Sequence, residues 1–240
     1  MKIALFGASG QMGKVLTELL SELHPSWEIL PVTKGESVED LSAADGALDF
    51  SKAEALPEVL SYCICHEIPL VMGTTGQNEE EHLAIMEASK KIPLFYSGNF
   101  SVGVYVMGIL LEKAAELLGK DADVELVESH HRKKMDAPSG TARMLLQSIE
   151  TGRGASPLIY GRSGSSPRKS GEIGVHALRG GTIVGEHEVM FALESEVLTI
   201  KHHGESRKLF AKGAVQALEF MLDRSPGYYT MEDLMKGRVR

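Results

Sequence analysis

The sequence has little cysteine, no surplus of positive charge and no long apolar run, and each shortage removes a class of protein. Its cysteines are Cys63 and Cys65 alone. They stand too close for ordinary disulfide geometry and do not form a C-x-x-C pair. Both lie in an apolar helical pattern, which predicts two buried free thiols and a reducing, cytoplasmic compartment. Acidic residues outnumber basic ones 33 to 25, for a formal charge of −8. Broad nucleic-acid or membrane-surface binding, which needs excess positive charge, is therefore not expected. The apolar opening Met1 to Phe6 is too short for a signal-peptide core, and no later run reaches membrane-spanning length without charges or glycines.

What is present is enough apolar material for a substantial core, 43% of 240 residues, and a regular change of period. Ile3–Phe6, Ile29–Val32, Ala47–Phe50, Leu70–Met72 and Leu94–Tyr96 read as short buried strands. Between them, Val15, Leu16, Leu19, Leu20 and Leu23, then Leu56, Val59, Leu60 and Ile64, recur at helical spacing, and a further helix covers Glu80 to Lys90. Strands alternating with helices predict an α/β domain with a doubly wound parallel sheet. The pattern changes after Asn99. A helix from Val102 to Leu118 and a strand from Val124 to Glu128 lead to a charged loop and a helix from Ser139 to Ile149. Residues 151–172, rich in Gly, Ser, Pro and Arg, read as a mobile loop. Ile173–Leu178, Thr182–Leu193 and Val197–His202 are consecutive strands, which suggests a second, α+β domain with an open mixed sheet. A last helix, Lys208 to Leu222, returns to the first domain. The expected division is 1–100 plus 207–240 for the first domain and 101–206 for the second.

The first strand runs into Gly7-Ala8-Ser9-Gly10-Gln11-Met12-Gly13 and then a helix. This is the place for a dinucleotide pyrophosphate: glycines allow a sharp turn and close approach, and the helix start supplies N–H groups and a positive dipole end. The spacing is G-x-x-G-x-x-G rather than the strict G-x-G-x-x-G, and strand–loop–helix context carries the reading; the alternative is an ordinary βα turn. An acidic residue at the end of the second strand would hold the adenosine ribose. Here the segment is Val32-Thr33-Lys34, and Lys34 is placed either to meet a 2′-phosphate or to be a solvated lysine. Both NADH and NADPH stay open. Gly73-Thr74-Thr75 and Ser97-Gly98-Asn99-Phe100 fall at two further strand ends on the same predicted edge, where small polar residues suit a ribose and a carboxamide.

The most informative segment is Glu128 to Ala142, ESHHRKKMDAPSGTA. His130-His131-Arg132-Lys133-Lys134 leads into a helix start, where Pro138 and Ser139 suit the first turn and cap. Gly140 and Thr141 then present N–H groups and a hydroxyl at the positive dipole end, an anion site. A substrate with two carboxylates fits both the helix start and the cations, and histidine is the natural proton donor near neutral pH. No metal is expected: adjacent histidines on a strand point apart and the usual ligand spacings are missing. The plain alternative is a charged loop ahead of a capped helix.

This run closely resembles the signature of the bacterial 4-hydroxy-tetrahydrodipicolinate (dihydrodipicolinate) reductases of lysine and diaminopimelate biosynthesis. Further matches keep the family's order along the chain: Gly7 to Gly13, Asp49-Phe50-Ser51, Gly73-Thr74-Thr75, Gly98-Asn99-Phe100-Ser101, Arg179 to His187, and Phe210-Ala211-Lys212-Gly213-Ala214. The resemblance implies a Rossmann-like first domain, a second domain whose open sheet builds a homotetramer, and NADH or NADPH as hydride donor to a small cyclic dicarboxylate. It implies catalytic roles for His130 and Lys134, with substrate contacts at His131, Gly140 and Thr141. It implies cofactor contacts at Gly7, Ala8, Ser9, Gly10, Gln11 and Met12, at Gly73, Thr74 and Thr75, and at Ser97, Gly98, Asn99 and Phe100. Lys133 is a bystander in that reading. The chain departs from the family in being shorter between the first helix and Gly73. It also has Thr33-Lys34 where an acidic-then-basic pair is usual, which leaves the cofactor preference undecided.

Overall fold

The computed structural model describes residues 1–33 and 42–237. In chain order its main elements are β1 (Lys2–Phe6), α1 (Gln11–Leu23), β2 (Glu28–Val32), β3 (Gly46–Asp49), α2 (Leu56–Cys65), β4 (Leu70–Met72), α3 (Glu79–Ser89) and β5 (Pro93–Tyr96). Then come α4 (Val102–Leu118), β6 (Asp123–His130), α5 (Gly140–Arg153), β7 (Leu158–Tyr160), β8 (Ile173–Arg179), β9 (Gly185–Ala192) and β10 (Val197–Gly204). The chain ends with α6 (Lys208–Met221), β11 (Gly227–Tyr229) and α7 (Met231–Lys236). These gather into two compact units, Met1–Phe100 with Arg207–Arg240, and Ser101–Ser206.

The first unit is built on a six-stranded sheet of order β11-β5-β4-β3-β1-β2, every pair parallel. Ile3, Ala4, Leu5, Ala47, Leu48, Leu70 and Val71 are fully buried. Consecutive residues can all be apolar because helices cover both faces of such a sheet. The chain steps from β1 outward to β2, then places β3 on the other side of β1. That reversal is the topological switch point, where a crevice opens beyond the carboxyl ends of the strands. α6 packs on α1 and across β3, β4 and β5. Its Gly213 permits this approach: a Cβ there would lie 1.8 Å from the Phe100 carbonyl oxygen.

The second unit carries a mixed five-stranded sheet of order β10-β9-β6-β8-β7. β6 is parallel to β8 and antiparallel to β9. Burial alternates along β6, with Val124, Leu126, Glu128 and His130 inward. Val124 and Leu126 share a core with Met107, Leu111 and Ala115 of α4 and with Leu145 and Ile149 of α5. The opposite face of the sheet carries charge pairs instead, Glu188 with Lys201 and Glu186 with His203.

Several sequence expectations change. Cys63 is buried, and desolvation pushes its thiol up, but Cys65 is exposed. Residues two apart on a helix point about 200° apart, so one apolar face cannot bury both. The stretch 151–172 is not loop throughout: α5 continues to Arg153, and β7 pairs in parallel with β8. Two of its three arginines are tied to carboxylates, Arg162 to Glu172 and Arg168 to Asp123 and Glu125 of β6, while Arg153 donates to the Ala122 carbonyl at 3.1 Å. The expected strand Thr182–Leu193 runs from Gly185 to Ala192. It does not lie beside β8, since β6 stands between them. β11 and α7 had no sequence expectation. Among the described residues no helix is long and apolar enough to cross a membrane.

Candidate functional site

The switch point is formed where β1, β3, β4 and β5 end. Gly7, at φ +80°, turns the chain out of β1, and a Cβ on it would lie 2.4 Å from the Phe50 carbonyl oxygen. The Gly7 and Ala8 N–H groups both donate to the Val32 carbonyl, at 3.0 and 3.4 Å, and Gly10 N–H donates back to Gly7 at 2.9 Å. A Cβ on Gly13 would lie 2.3 Å from the Gly7 oxygen. The turn is thus packed backbone against backbone. α1 then starts with no side-chain cap and no acidic residue in its first turn. By contrast, α3 carries a full capping box between Asn78 and Glu81. The first-turn N–H groups of α1 and its positive dipole end are therefore left for a ligand.

Phe50 links the other strand ends to this turn. A Cβ on Gly73 would lie 2.3 Å from the Phe50 ring, so glycine is required beneath it. The ring stands 5.5 Å from that of Phe100. Asp49, almost fully buried, accepts from Ser51 N–H at 3.0 Å and from the Ser51 hydroxyl. Burial pushes the Asp49 carboxyl up, against the hydrogen bonds from Ser51 and Thr74. Ser97 holds its own turn, donating to the Asn99 carbonyl at 2.7 Å and accepting from Asn99 N–H at 3.2 Å. A cleft of about 490 Å³ runs past Met12, Phe50, Ser51, Gly73, Thr74 and Thr75.

The structure thus brings Gly7–Met12, Gly73–Thr75 and Ser97–Phe100 together at one end of one sheet. Lys34 lies outside the described residues. Close backbone turns, an uncapped helix start and small polar groups at successive strand ends fit a dinucleotide. Phe50 and Ser51 lacked an assigned role from sequence. Their signal is topological, since β3 is the neighbour of β1 across the reversal.

In the second unit, β6 delivers His130 to its carboxyl end with the ring turned inward, 7% exposed. His130 Nδ1 lies 2.6 Å from Glu128 Oε2. Arg179 meets both Glu128 oxygens at 2.7 Å, and Ser139 N–H donates to Oε1 at 2.9 Å. The Gly180 N–H donates to the His130 carbonyl at 2.9 Å, and Arg132 N–H to Gly181 at 3.3 Å. These bonds join the basic run to the turn after β8. Ser139 caps α5, its hydroxyl accepting from Ala142 N–H at 3.1 Å. Behind it, His187 Nε2 stands 3.2 Å from the Ser139 hydroxyl, and the His130 and His187 rings meet edge to face at 5.2 Å. Lys134 Nζ sits 2.8 Å from Asp136. Gly140 is exposed and Thr141 half-buried at the start of α5, and Lys133 is exposed. The half-buried His131 keeps its Nδ1 covered.

Burial would raise the Glu128 carboxyl, yet Arg179, His130 and Ser139 N–H together hold it below the ordinary range. Desolvation lowers His130; Glu128 opposes this, while Lys134 and Arg179 add to it. Desolvation also takes His187 down to about 4. Asp136 is raised by burial but lowered further by Lys134 and by N–H groups including that of Gly140. A carboxylate of the chain itself therefore bridges Lys134 and the start of α5. The arrangement can bind an anion at Lys134 and α5 and move a proton at His130. His130, His131, Lys134, Gly140 and Thr141 all stand between the last residue of β6 and the first turn of α5. Arg179 and His187 bound a run that matches the family in sequence but had no assigned role, because each reaches the cluster from a strand some 50 residues away. A cavity of about 670 Å³ between α5 and β8 touches this segment through Ala137 and Pro138, away from His130 and Lys134. Among the described residues no three His, Cys, Asp or Glu side chains are grouped to hold a metal.

Comparison with known proteins agrees across the chain. Residues 1–100 match the model of the dihydrodipicolinate reductase N-terminus, and residues 103–235 that of its C-terminus. A 4-hydroxy-tetrahydrodipicolinate reductase of Alkaliphilus oremlandii is 42% identical over 238 residues, covering 98% of each chain. Another, of Caldanaerobacter subterraneus, is 42% identical over 249 residues, again covering 98% of each. Among solved structures, a dipicolinate-bound dihydrodipicolinate reductase from Paenisporosarcina sp. TG-14 superposes with a TM-score of 0.71. It is 23% identical, and the match covers 96% of this chain and 97% of that one.

Proposed function

The chain belongs to the dihydrodipicolinate reductase family, and from that premise we propose that it reduces 4-hydroxy-tetrahydrodipicolinate, or the dihydrodipicolinate formed from it by loss of water, to tetrahydrodipicolinate in the diaminopimelate route to lysine. NADH or NADPH is the hydride donor. One observation carries the reading at the level of chemistry: a buried histidine, a lysine and a capped helix start are joined within a single segment, Glu128 to Ala142. That set matches a small dicarboxylate that must be both held and protonated.

The cofactor, when bound along the Gly7–Met12, Gly73–Thr75 and Ser97–Phe100 turns, supplies a hydride to the conjugated C=N ring of the substrate. The α1 start would hold its pyrophosphate. In the second unit, the Gly140 and Thr141 N–H groups take one substrate carboxylate, and His131 and Lys134 attract the pair of them. Holding the ring in one pose is a large part of the rate enhancement. Hydride addition leaves negative charge on the ring, which the Lys134 ammonium stabilises. A proton from His130 or Lys134 completes the reduction.

The test is oxidation of each cofactor with freshly synthesised dihydrodipicolinate. Turnover is expected, and His130→Gln and Lys134→Ala should each lower kcat by about 100-fold or more, typical of a lost acid/base group. No turnover with either cofactor would end the proposal, and wild-type kcat in both variants would remove the assigned roles. We also place the protein in the cytoplasm, which its two free cysteines favour. Exposed Leu178 and Val197 on the second sheet support a homotetramer, which light scattering should find.

A further inference from the structure

We propose that Glu128 and Arg179 are positioning residues that fix the His130 proton on Nδ1, present Nε2 to the reacting ring, and tie this histidine to the anion-binding start of α5. The proposal rests on the reading of His130 as a proton donor. It adds two residues that act through His130 rather than on the reacting atoms.

The argument begins with acceptor capacity. Glu128 is 0% exposed, and an ionised carboxylate at that depth must be fully hydrogen-bonded. Its two oxygens offer about four acceptor positions, and four donor positions face them. Oε2 takes Arg179 Nη1 at 2.7 Å and His130 Nδ1 at 2.6 Å. Oε1 takes Arg179 Nη2 at 2.7 Å and Ser139 N–H at 2.9 Å. A carboxylate only accepts, so Nδ1 must carry the proton. The ring can then gain and release its second proton at Nε2 alone. Gly185 keeps that atom accessible, since a Cβ there would stand 3.1 Å from Nε2.

The pairing also reaches the anion site. Ser139, held by Glu128, is the cap residue of α5, and Arg179 Nη2 donates to the Asp136 carbonyl at 2.6 Å. Position of the proton donor and position of the helix start therefore depend on one ion pair. Strand geometry makes it possible: Glu128 and His130 share a face of β6 by their spacing of two, and Arg179 is the register partner of His130 on β8. The charged and titratable groups facing His130 are Glu128 on its own strand, Lys134 beyond it, Arg179 on β8 and His187 on β9, with His202 of β10 beyond His187.

A pair that serves stability alone and a pair that governs His130 differ in an observable way. Loss of the carboxylate must lower the His130 titration midpoint, and loss of the guanidinium must raise it, because the two charges act on the ring with opposite sign. The experiment is NMR of isotopically labelled histidine in the full, ligand-free enzyme, with His130→Gln to assign the resonance. In the wild type the neutral ring is expected as the Nδ1–H tautomer. In Glu128→Gln the amide oxygen takes Arg179 and its NH₂ faces Nδ1, so the tautomer should switch to Nε2–H and the midpoint should fall. In Arg179→Gln the midpoint should rise, and Arg179→Lys should bring it back toward the wild type. The basic limb of the kcat profile should move with each midpoint, and Glu128→Gln should lose about 10- to 100-fold in kcat at neutral pH, as for other partners that orient a functional histidine. Where a glutamine variant does not fold, Glu128→Asp and Arg179→Lys should show smaller shifts in the same two directions. An Nε2–H tautomer in the wild type, or midpoints that stay put or move the same way in both variants, would overturn the proposal. Midpoints that behave as stated in an enzyme whose turnover ignores His130 would leave the positioning intact and reject the proton-donor reading instead.

Discussion

Replacing His187 with glutamine should make the protein less stable than the wild type at neutral pH and more stable at pH 4. His187 faces inward from β9, 3% exposed, with Nε2 against the Ser139 hydroxyl at 3.2 Å. Desolvation, and then the charge His130 carries when protonated, take it from the ordinary 6.5 down to about 4. A lowered histidine binds its proton later in the folded than in the unfolded state. Between pH 6.5 and 4 the unfolded chain therefore holds the extra proton, and stability falls with falling pH. Each pH unit carries about 1.4 kcal/mol, so the window removes about 3 kcal/mol; below it both states are protonated and the contribution is constant. Glutamine places an amide near the position of Nε2 and cannot titrate. At pH 7 the variant loses about 1 kcal/mol, typical of a substitution in a packed site. By pH 4 the wild type has lost the additional 3 kcal/mol, and the order inverts. Urea unfolding followed by far-UV circular dichroism, at fixed protomer concentration, reads the difference, and carboxylates common to both proteins cancel in it. Parallel stability curves from pH 7 to pH 4 would refute the reasoning, because they would mean that His187 titrates alike in the folded and unfolded chain.

Gly13→Ala should weaken NADH and NADPH binding by about 5- to 150-fold, measured by nicotinamide fluorescence titration. Its Cβ would stand 2.3 Å from the Gly7 carbonyl oxygen, and backbone overpacking of that kind costs about 1–3 kcal/mol; an unchanged Kd in a folded variant would count against the cradle. Asp136→Asn should lower KM for the dicarboxylate by up to about 5-fold, since it releases Lys134 from a half-exposed ion pair worth about 1 kcal/mol at most. A raised KM would show that Asp136 supports the anion site rather than competing for it.

Much of the proposed cofactor cradle is legible from sequence because its turns are written locally. A glycine turn between an apolar strand and an amphipathic helix is contained in about twenty consecutive residues, and so is each later strand end. The same holds for the basic run that leads into Pro138 and the Ser139 cap. Cys65 was misread because a short apolar segment hides which side of the helix is covered. Most of residues 151–172 is the loop that Gly, Ser, Pro and Arg describe, but composition could not show that α5 runs on to Arg153, that β7 pairs with β8, or that Arg168 meets Asp123 and Glu125 of β6. β8 and β9 are consecutive in the chain, and nothing local to either announces that β6 lies between them.

The sequence by itself determined the alternation of strands and helices, the three turns that end on one sheet edge, and the segment that holds His130, Lys134 and the start of α5. These depend on period and on spacing along the chain, which short-range sterics and capping enforce. Only the tertiary structure decided that the β1–β3 reversal sets Phe50 against Gly7, that Arg179 closes on Glu128 across 51 residues, and that His187 lies buried behind Ser139. Those contacts follow from strand register and from burial, where a carboxylate without its partner or a histidine in water would behave quite differently, and neither register nor burial is a property of any stretch of sequence taken alone.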